Sequence, residues 1–100
     1  MNKPVSILTV CPHGLGSGLV LRMMVDKIVA EESIDAQVEV VGATEVHGRT
    51  ADIIVTTAEL ASMFAESTAI VISAPNFIDE APVRSKLLDA VSTLEKNGTA

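Results

Sequence analysis

Short apolar runs rich in β-branched residues alternate along this chain with longer segments whose apolar residues recur at helical spacing, and that alternation limits the fold more than any other feature. Val5-Ser6-Ile7-Leu8-Thr9-Val10, just after Pro4, is the first such run. It reads as a central, buried strand. From Gly16 or Ser17 to about Glu32 the period changes. At about 100° per residue, Leu21, Met24, Val25, Ile28 and Val29 share one face, which predicts a helix of about four turns. Arg22, Asp26 and Lys27 fall on the other side, together with Leu19 and Met23 on the flank of Leu15.

Ser33-Ile34-Asp35 breaks that helix, and Gln37-Val38-Glu39-Val40-Val41 alternates polar and apolar residues as a half-buried edge strand does. Gly42 to Thr50 reads as a loop with a helical turn, and places His47 on the surface. Asp52-Ile53-Ile54-Val55 is a third strand, apolar enough to be central. Thr56-Thr57-Ala58-Glu59 fits a capping box in which the Thr56 hydroxyl bonds the amide three residues on, followed by a short helix through about Glu66. Thr68-Ala69-Ile70-Val71-Ile72-Ser73 is a fourth strand, ended at Ala74-Pro75-Asn76 because proline cannot extend a ladder. From Asp79, Val83, Leu87, Ala90, Val91 and Leu94 form one helical stripe, with Pro82 acceptable in its first turn.

Strands alternating with helices connect by right-handed crossovers into a parallel sheet. The expected fold is α/β: four parallel strands in the order 2-1-3-4 with helices on both faces, a Rossmann-like or phosphatase-like three-layer sandwich. One domain is expected over residues 1–100, since a chain this short buries a single core. Ligands of such sheets bind at the carboxyl ends of the strands where the strand order reverses, and the first strand borders that point.

At that end stands Val10-Cys11-Pro12-His13-Gly14-Leu15-Gly16-Ser17-Gly18, which holds the single cysteine of the chain and three glycines at alternate positions. Glycines at 14, 16 and 18 allow positive φ, so the segment 12–18 is expected to curl its amides into an anion nest, backed by the free N–H groups and positive dipole end of the following helix. The same field favours the thiolate of Cys11 and makes it a candidate nucleophile. Ser17 adds a hydroxyl donor. His13 reads equally as a phosphoryl or proton-handling group and as an exposed loop residue. The spacing does not match the dinucleotide fingerprint, because position 19 is leucine, and no Lys followed by Ser or Thr is present for a nucleotide P-loop.

Composition narrows the partners. A net charge of -6 disfavours nucleic acid, because nothing replaces the counterions along a phosphate backbone. No apolar run reaches the roughly 20 residues that span a bilayer, and Met1-Asn2-Lys3-Pro4 has no signal-peptide pattern, so a cytoplasmic protein without membrane insertion is expected. One cysteine makes no internal disulfide, and a single thiol with two scattered histidines makes no structural zinc site. No metal or cofactor is expected. Leu15, Leu19 and Met23, rimmed by Arg22 and Lys27, read either as a partner-docking patch or as stray surface apolars.

Val10-Cys11-x-x-Gly14-Leu15-Gly16-Ser17 before a Met-rich helix, with Ala51-Asp52-Ile53-Ile54-Val55-Thr56 opening the third strand, resembles the IIB component of the bacterial phosphoenolpyruvate-dependent sugar phosphotransferase system, in particular the ascorbate and galactitol type. The likeness spans nearly the whole chain. It implies that Cys11 takes a phosphoryl group from a phosphohistidine of a IIA partner and passes it to the sugar bound in a membrane IIC partner. The sequence leaves the oligomeric state open, and a monomer that docks transiently is the default expectation. Relatives often carry Gly-Asn where this chain has Pro12-His13, and a second serine where it has Gly18. Proline lacks an N–H, so one amide of the cradle is missing. Low-molecular-weight tyrosine phosphatases use a Cys-x5-Arg loop on a similar sheet; here the position that the arginine would take is Ser17, and without the guanidinium clamp hydrolysis is expected to be slow.

Three readings therefore remain at this stage: a phosphoryl carrier, a cysteine-loop phosphatase, and a noncatalytic module that binds an anion or a partner. Alkylation of Cys11 between about pH 6 and 9 separates the last from the others. A reactive thiolate is expected to be modified rapidly with a depressed titration midpoint, whereas slow, pH-insensitive modification would identify a structural cysteine.

Overall fold

The computed structural model describes residues 4–11, 15–42, 50–64, 69–74 and 80–96, with the backbone alone at positions 11, 15–18, 58, 59, 95 and 96. The elements run β1 (Val5–Cys11), α1 (Leu15–Glu31), β2 (Ala36–Gly42), β3 (Ile53–Thr57), α2 (Ala58–Ala61), a single 3-10 turn (Ser62–Phe64), β4 (Ile70–Ala74) and α3 (Glu80–Lys96). All pairings are parallel, and the strand order is β2-β1-β3-β4, as the sequence predicts. The expected turn around His47 and the segments at Glu66, Thr68, Pro75 and the last four residues lie outside the described residues.

Because β1 and β3 are covered on both faces, they read as near-continuous apolar runs. Val5 and Ile7 of β1 with Ile53 and Val55 of β3 face the α1 and α3 layer, where they pack with Leu21, Val25, Ile28, Val83 and Leu87. The alternate residues Leu8, Val10 and Ile54 face the other layer, packing with Phe64 and the half-buried Leu60. The predicted stripes of both long helices are the faces that meet the sheet. In β2, alternating exposed and half-buried positions mark the edge strand expected from its polar alternation.

The first helix ends in a Schellman turn. Ser33 adopts φ of 55° while Ile34 N–H donates to the Val29 carbonyl at 2.8 Å and Ser33 N–H to the Ala30 carbonyl at 3.4 Å. The chain thereby turns back so that the Asp35 carbonyl accepts from Val5 N–H at 2.9 Å and β2 enters in register with β1. Arg84 of α3 bonds Glu31, Glu32 and Glu80, and Lys27 lies 3.0 Å from Glu80, tying α1 to α3. Hydrogen bonds from Arg84 and then Lys27 hold the Glu80 carboxyl below its ordinary pKa.

Asp52 pins the opposite end of the sheet from Cys11. Its carboxylate accepts from Ser6 N–H at 3.0 Å, its own N–H donates to the Ser6 carbonyl at 3.0 Å, and its carbonyl accepts from Ile70 N–H at 3.0 Å. One residue thus joins β1, β3 and β4 before their ladders begin. Asp52→Ala leaves the Ser6 amide without its charged acceptor and is expected to lower stability by about 1–3 kcal/mol, read from the urea midpoint at unchanged slope.

Candidate functional site

The carboxyl end of β1 is where the chain's chemistry can converge. Cys11 is the last residue of β1 and pairs with Gly42, the last residue of β2. Only Pro12, His13 and Gly14 separate it from α1, which begins at Leu15. A helix that starts so soon after a central strand puts its unpaired first-turn N–H groups and positive dipole end at the same edge of the sheet as the cysteine. An anion is favoured there over a cation.

The glycine-rich segment is divided differently from its sequence reading. The pattern of glycines predicts that Gly16, Ser17 and Gly18 form part of an open nest and that the helix begins at Gly16 or Ser17; instead Leu15, Gly16, Ser17 and Gly18 are the first turn of α1. The positive φ that glycine permits is therefore not used at 16 and 18. The physical reason lies in the long apolar stripe of α1, whose packing extends the helix through two poor helix formers, and first-turn residues donate no intrahelical bond in any case. An anion at positions 16–18 would therefore meet helix N–H groups rather than a curled loop. Pro12, His13 and Gly14 lie outside the described residues.

Beside Cys11, the end of β3 departs from the expected capping box. Thr56 belongs to β3 and is fully buried; its hydroxyl donates to the Val10 carbonyl at 2.9 Å instead of capping a helix. The cap position is Thr57, with extended φ and ψ of -92° and 163°, and it makes no side-chain cap bond. A cross-strand carbonyl next to the hydroxyl wins over a four-residue helix, because burial makes an unmet hydroxyl expensive. Thr9 behaves likewise, donating from its buried hydroxyl to the Glu39 carbonyl at 3.0 Å. Sequence reading misses these two bonds. The available signal is a hydroxyl residue inside an otherwise apolar central strand.

The exposed flank of α1 carries Leu19, Val20 and Met23 at 48%, 47% and 69% exposure. Val20 does not stand out in the sequence, although at helical spacing it falls between the buried Met24 and Met23. Arg22 is exposed and lies 3.5 Å from Asp26 one turn on. Lys27, the other cation expected at the rim of this patch, is engaged by Glu80, whose hydrogen bond and charge raise its pKa. The Leu15 side chain is not described. Among the described residues no three His, Cys, Asp or Glu side chains gather as metal ligands, and no helix is long and apolar enough to cross a membrane.

Comparison with known proteins agrees with this geometry. Residues 6–88 match the family model described as "PTS system, Lactose/Cellobiose specific IIB subunit". The chain is 29% identical over 89 residues to the ascorbate-specific PTS system EIIB component of Mycoplasma pneumoniae, covering 86% of this chain and 94% of that protein. Its fold is similar to the lactose-specific IIB domain of Streptococcus pneumoniae, with a TM-score of 0.64, 15% identity, and coverage of 91% of this chain and 97% of the other.

The Thr56 bond holds the carbonyl of the residue that precedes Cys11. Thr56→Val, which keeps the shape and removes the donor, is expected to lower stability by about 1 kcal/mol in urea unfolding while leaving the far-UV circular dichroism unchanged.

Proposed function

Since the chain belongs to the IIB family of sugar phosphotransferase systems, whose members are phosphotransferase components working with IIA and membrane IIC partners, we propose that Cys11 is its phosphorylation site. The observation that carries this reading is the position of Cys11 as the last residue of β1, with α1 starting at Leu15. A thiolate at that edge is favoured by the helix N-terminus, and so is the dianion it would come to hold.

In the first transfer, the Cys11 sulfur attacks the phosphorus of a phosphohistidine on a IIA protein. The S–P bond forms, the N–P bond breaks, and the ring nitrogen keeps the electron pair of the broken bond. In the second, a sugar hydroxyl oxygen attacks the same phosphorus in the IIC partner, the S–P bond breaks, and Cys11 returns to thiolate as the hydroxyl loses its proton to a base outside this chain. Helix N–H groups at Gly16, Ser17 and Gly18, with the Ser17 hydroxyl, receive the phosphoryl oxygens in both. Pro12 contributes no N–H, and His13 and Gly14 complete the segment. The sugar is ascorbate- or galactitol-like, the first being the specificity named for the Mycoplasma pneumoniae relative. Both transfers take place at the cytoplasmic side of the membrane.

The α1 flank of Leu15, Leu19, Val20, Arg22 and Met23 is the surface that partners cover. It follows the cysteine closely in the chain, and Leu19, Val20 and Met23 are exposed. A carrier must offer the same sulfur to two proteins in turn, which a patch of flexible Met and Leu side chains beside the site accommodates. Hydrolysis is disfavoured because position 17 is serine, so no guanidinium there clamps the phosphoryl group for attack by water.

Incubation with a phosphorylated IIA protein is expected to label the wild-type chain with one phosphoryl group on Cys11 and to leave Cys11→Ser unlabelled, as read by intact-protein mass spectrometry. Equal labelling of Cys11→Ser would overturn the assignment, and rapid release of inorganic phosphate by the wild type would point to a phosphatase.

A further inference from the structure

The threonines at the carboxyl half of the central strands are not equivalent. Thr9 and Thr56 donate their hydroxyls to backbone carbonyls of neighbouring strands. Thr57 does not: its Oγ1 is buried to less than 1 Å² and finds no hydrogen-bond partner among the described residues. The usual task of a threonine at a helix cap is refused as well, since Thr57 makes no side-chain bond into α2. A buried hydroxyl without a partner is a standing cost, and valine would fill almost the same volume without it.

Where that hydroxyl sits gives it a use. Val10 pairs with Thr56 in the last pair of the β1–β3 ladder, and Cys11 and Thr57 are the residues that follow it on these two neighbouring strands. On its other side Thr57 pairs with Ala74, which offers no side-chain acceptor. Strand alternation turns Thr57 to the same face as Ile53 and Val55, the face covered by α1 and α3. This is the layer whose first helix begins at Leu15, just after the cysteine. Solvent does not reach the oxygen, so its partner has to arrive on a neighbouring group of the chain itself.

We propose that the Thr57 hydroxyl binds the phosphoryl group carried by Cys11, donating a hydrogen bond to one of its oxygens; this rests on the phosphocysteine reading above. A phosphoryl dianion is the strongest acceptor that could come within reach, and a charge-assisted bond to it exceeds the bond a neutral carbonyl would give. Thr57, without a partner among the described residues, is thus engaged in the phosphorylated chain. It supplies one donor at a site where Pro12 removes one.

The experiment compares wild type, Thr57→Val and Thr57→Ser after phosphorylation by a phosphorylated IIA protein. Thr57→Val is expected to unfold at the same urea concentration as wild type or a higher one, yet to take up the phosphoryl group about 10- to 100-fold more slowly. Thr57→Ser, which keeps the donor, is expected to stay close to the wild-type rate. In phosphorus NMR the second ionisation of phosphocysteine is expected at lower pH in wild type than in Thr57→Val, because a donor favours the dianion. Unchanged uptake and an unchanged titration in Thr57→Val would overturn the proposal. So would a Thr57→Val protein that is less stable than wild type or does not fold, since the hydroxyl would then serve the free structure. If the wild type itself takes no label on Cys11, it is the phosphocysteine reading that fails, and this result is separate from any difference among the Thr57 variants.

Discussion

Two-sided parallel pairing of β1 is the constraint on which the other features depend. The strand bonds β2 along its whole length and β3 from Ile7 to Val10. Both its faces are packed, Ile7 against one layer and Leu8 and Val10 against the other. A strand held on four sides cannot slide, because a shift of one residue would exchange the two apolar faces and bring Ser6 and Thr9 onto the wrong contacts. The position of Cys11 is therefore inherited from the core rather than built by the segment that follows it. A residue placed in this way owes its position to the sheet.

Polar groups follow the same axis. Asp52 ties three strands together at the amino end, and the hydroxyls of Thr9 and Thr56 are spent on carbonyls inside the sheet. Toward the carboxyl end the satisfaction stops: the first-turn N–H groups of α1 have no intrahelical acceptors, and the Thr57 hydroxyl has no partner among the described residues. The Asp52 tie and the unpartnered Thr57 hydroxyl thus lie at opposite ends of the strands. The ion cluster of Arg84 with Glu31, Glu32 and Glu80 ties α1 to α3 by contacts on the helix surfaces and leaves the α1 flank of Leu19, Val20 and Met23 uncovered.

Much of this order is legible in the residues because it comes from periodicity. Leu21, Met24, Val25, Ile28 and Val29 announce the buried face of α1, and Val83, Leu87, Ala90, Val91 and Leu94 that of α3, since apolar residues recurring every 3.6 positions line up on one side only when the backbone is helical. The apolar character of Ile53 to Val55 likewise marks a strand covered on both sides. The features that escape the sequence have a different origin. Gly16 and Gly18 are legible both as nest positions and as the start of the helix, and the packing of the α1 stripe decides for the helix, a tertiary effect that no short window contains. Thr56 and Glu59 match a capping box in spacing, yet whether a hydroxyl caps a helix or crosses to a neighbouring strand depends on where Val10 ends up. The state of the Thr57 hydroxyl is illegible for the same reason, since it depends on which acceptors the neighbouring strands bring within reach.

A phosphoryl carrier faces a requirement that a phosphatase does not. On the proposed reading each of its two transfers exchanges one bond to phosphorus for another, so binding that stabilises the S–P state more than the transition states would favour loading at equilibrium and slow delivery. A bidentate guanidinium at position 17 would clamp the dianion and orient it for water as well. Serine at that position brings no charged donor, and proline after the cysteine removes one backbone N–H. What remains is a set of neutral hydrogen-bond donors, each worth a modest amount and none able to hold the group outright. On the proposed reading such donors would orient the phosphoryl group for in-line attack, and the acceptor protein would supply the interactions that draw it away. A cradle of modest donors would be the kind that lets the group leave.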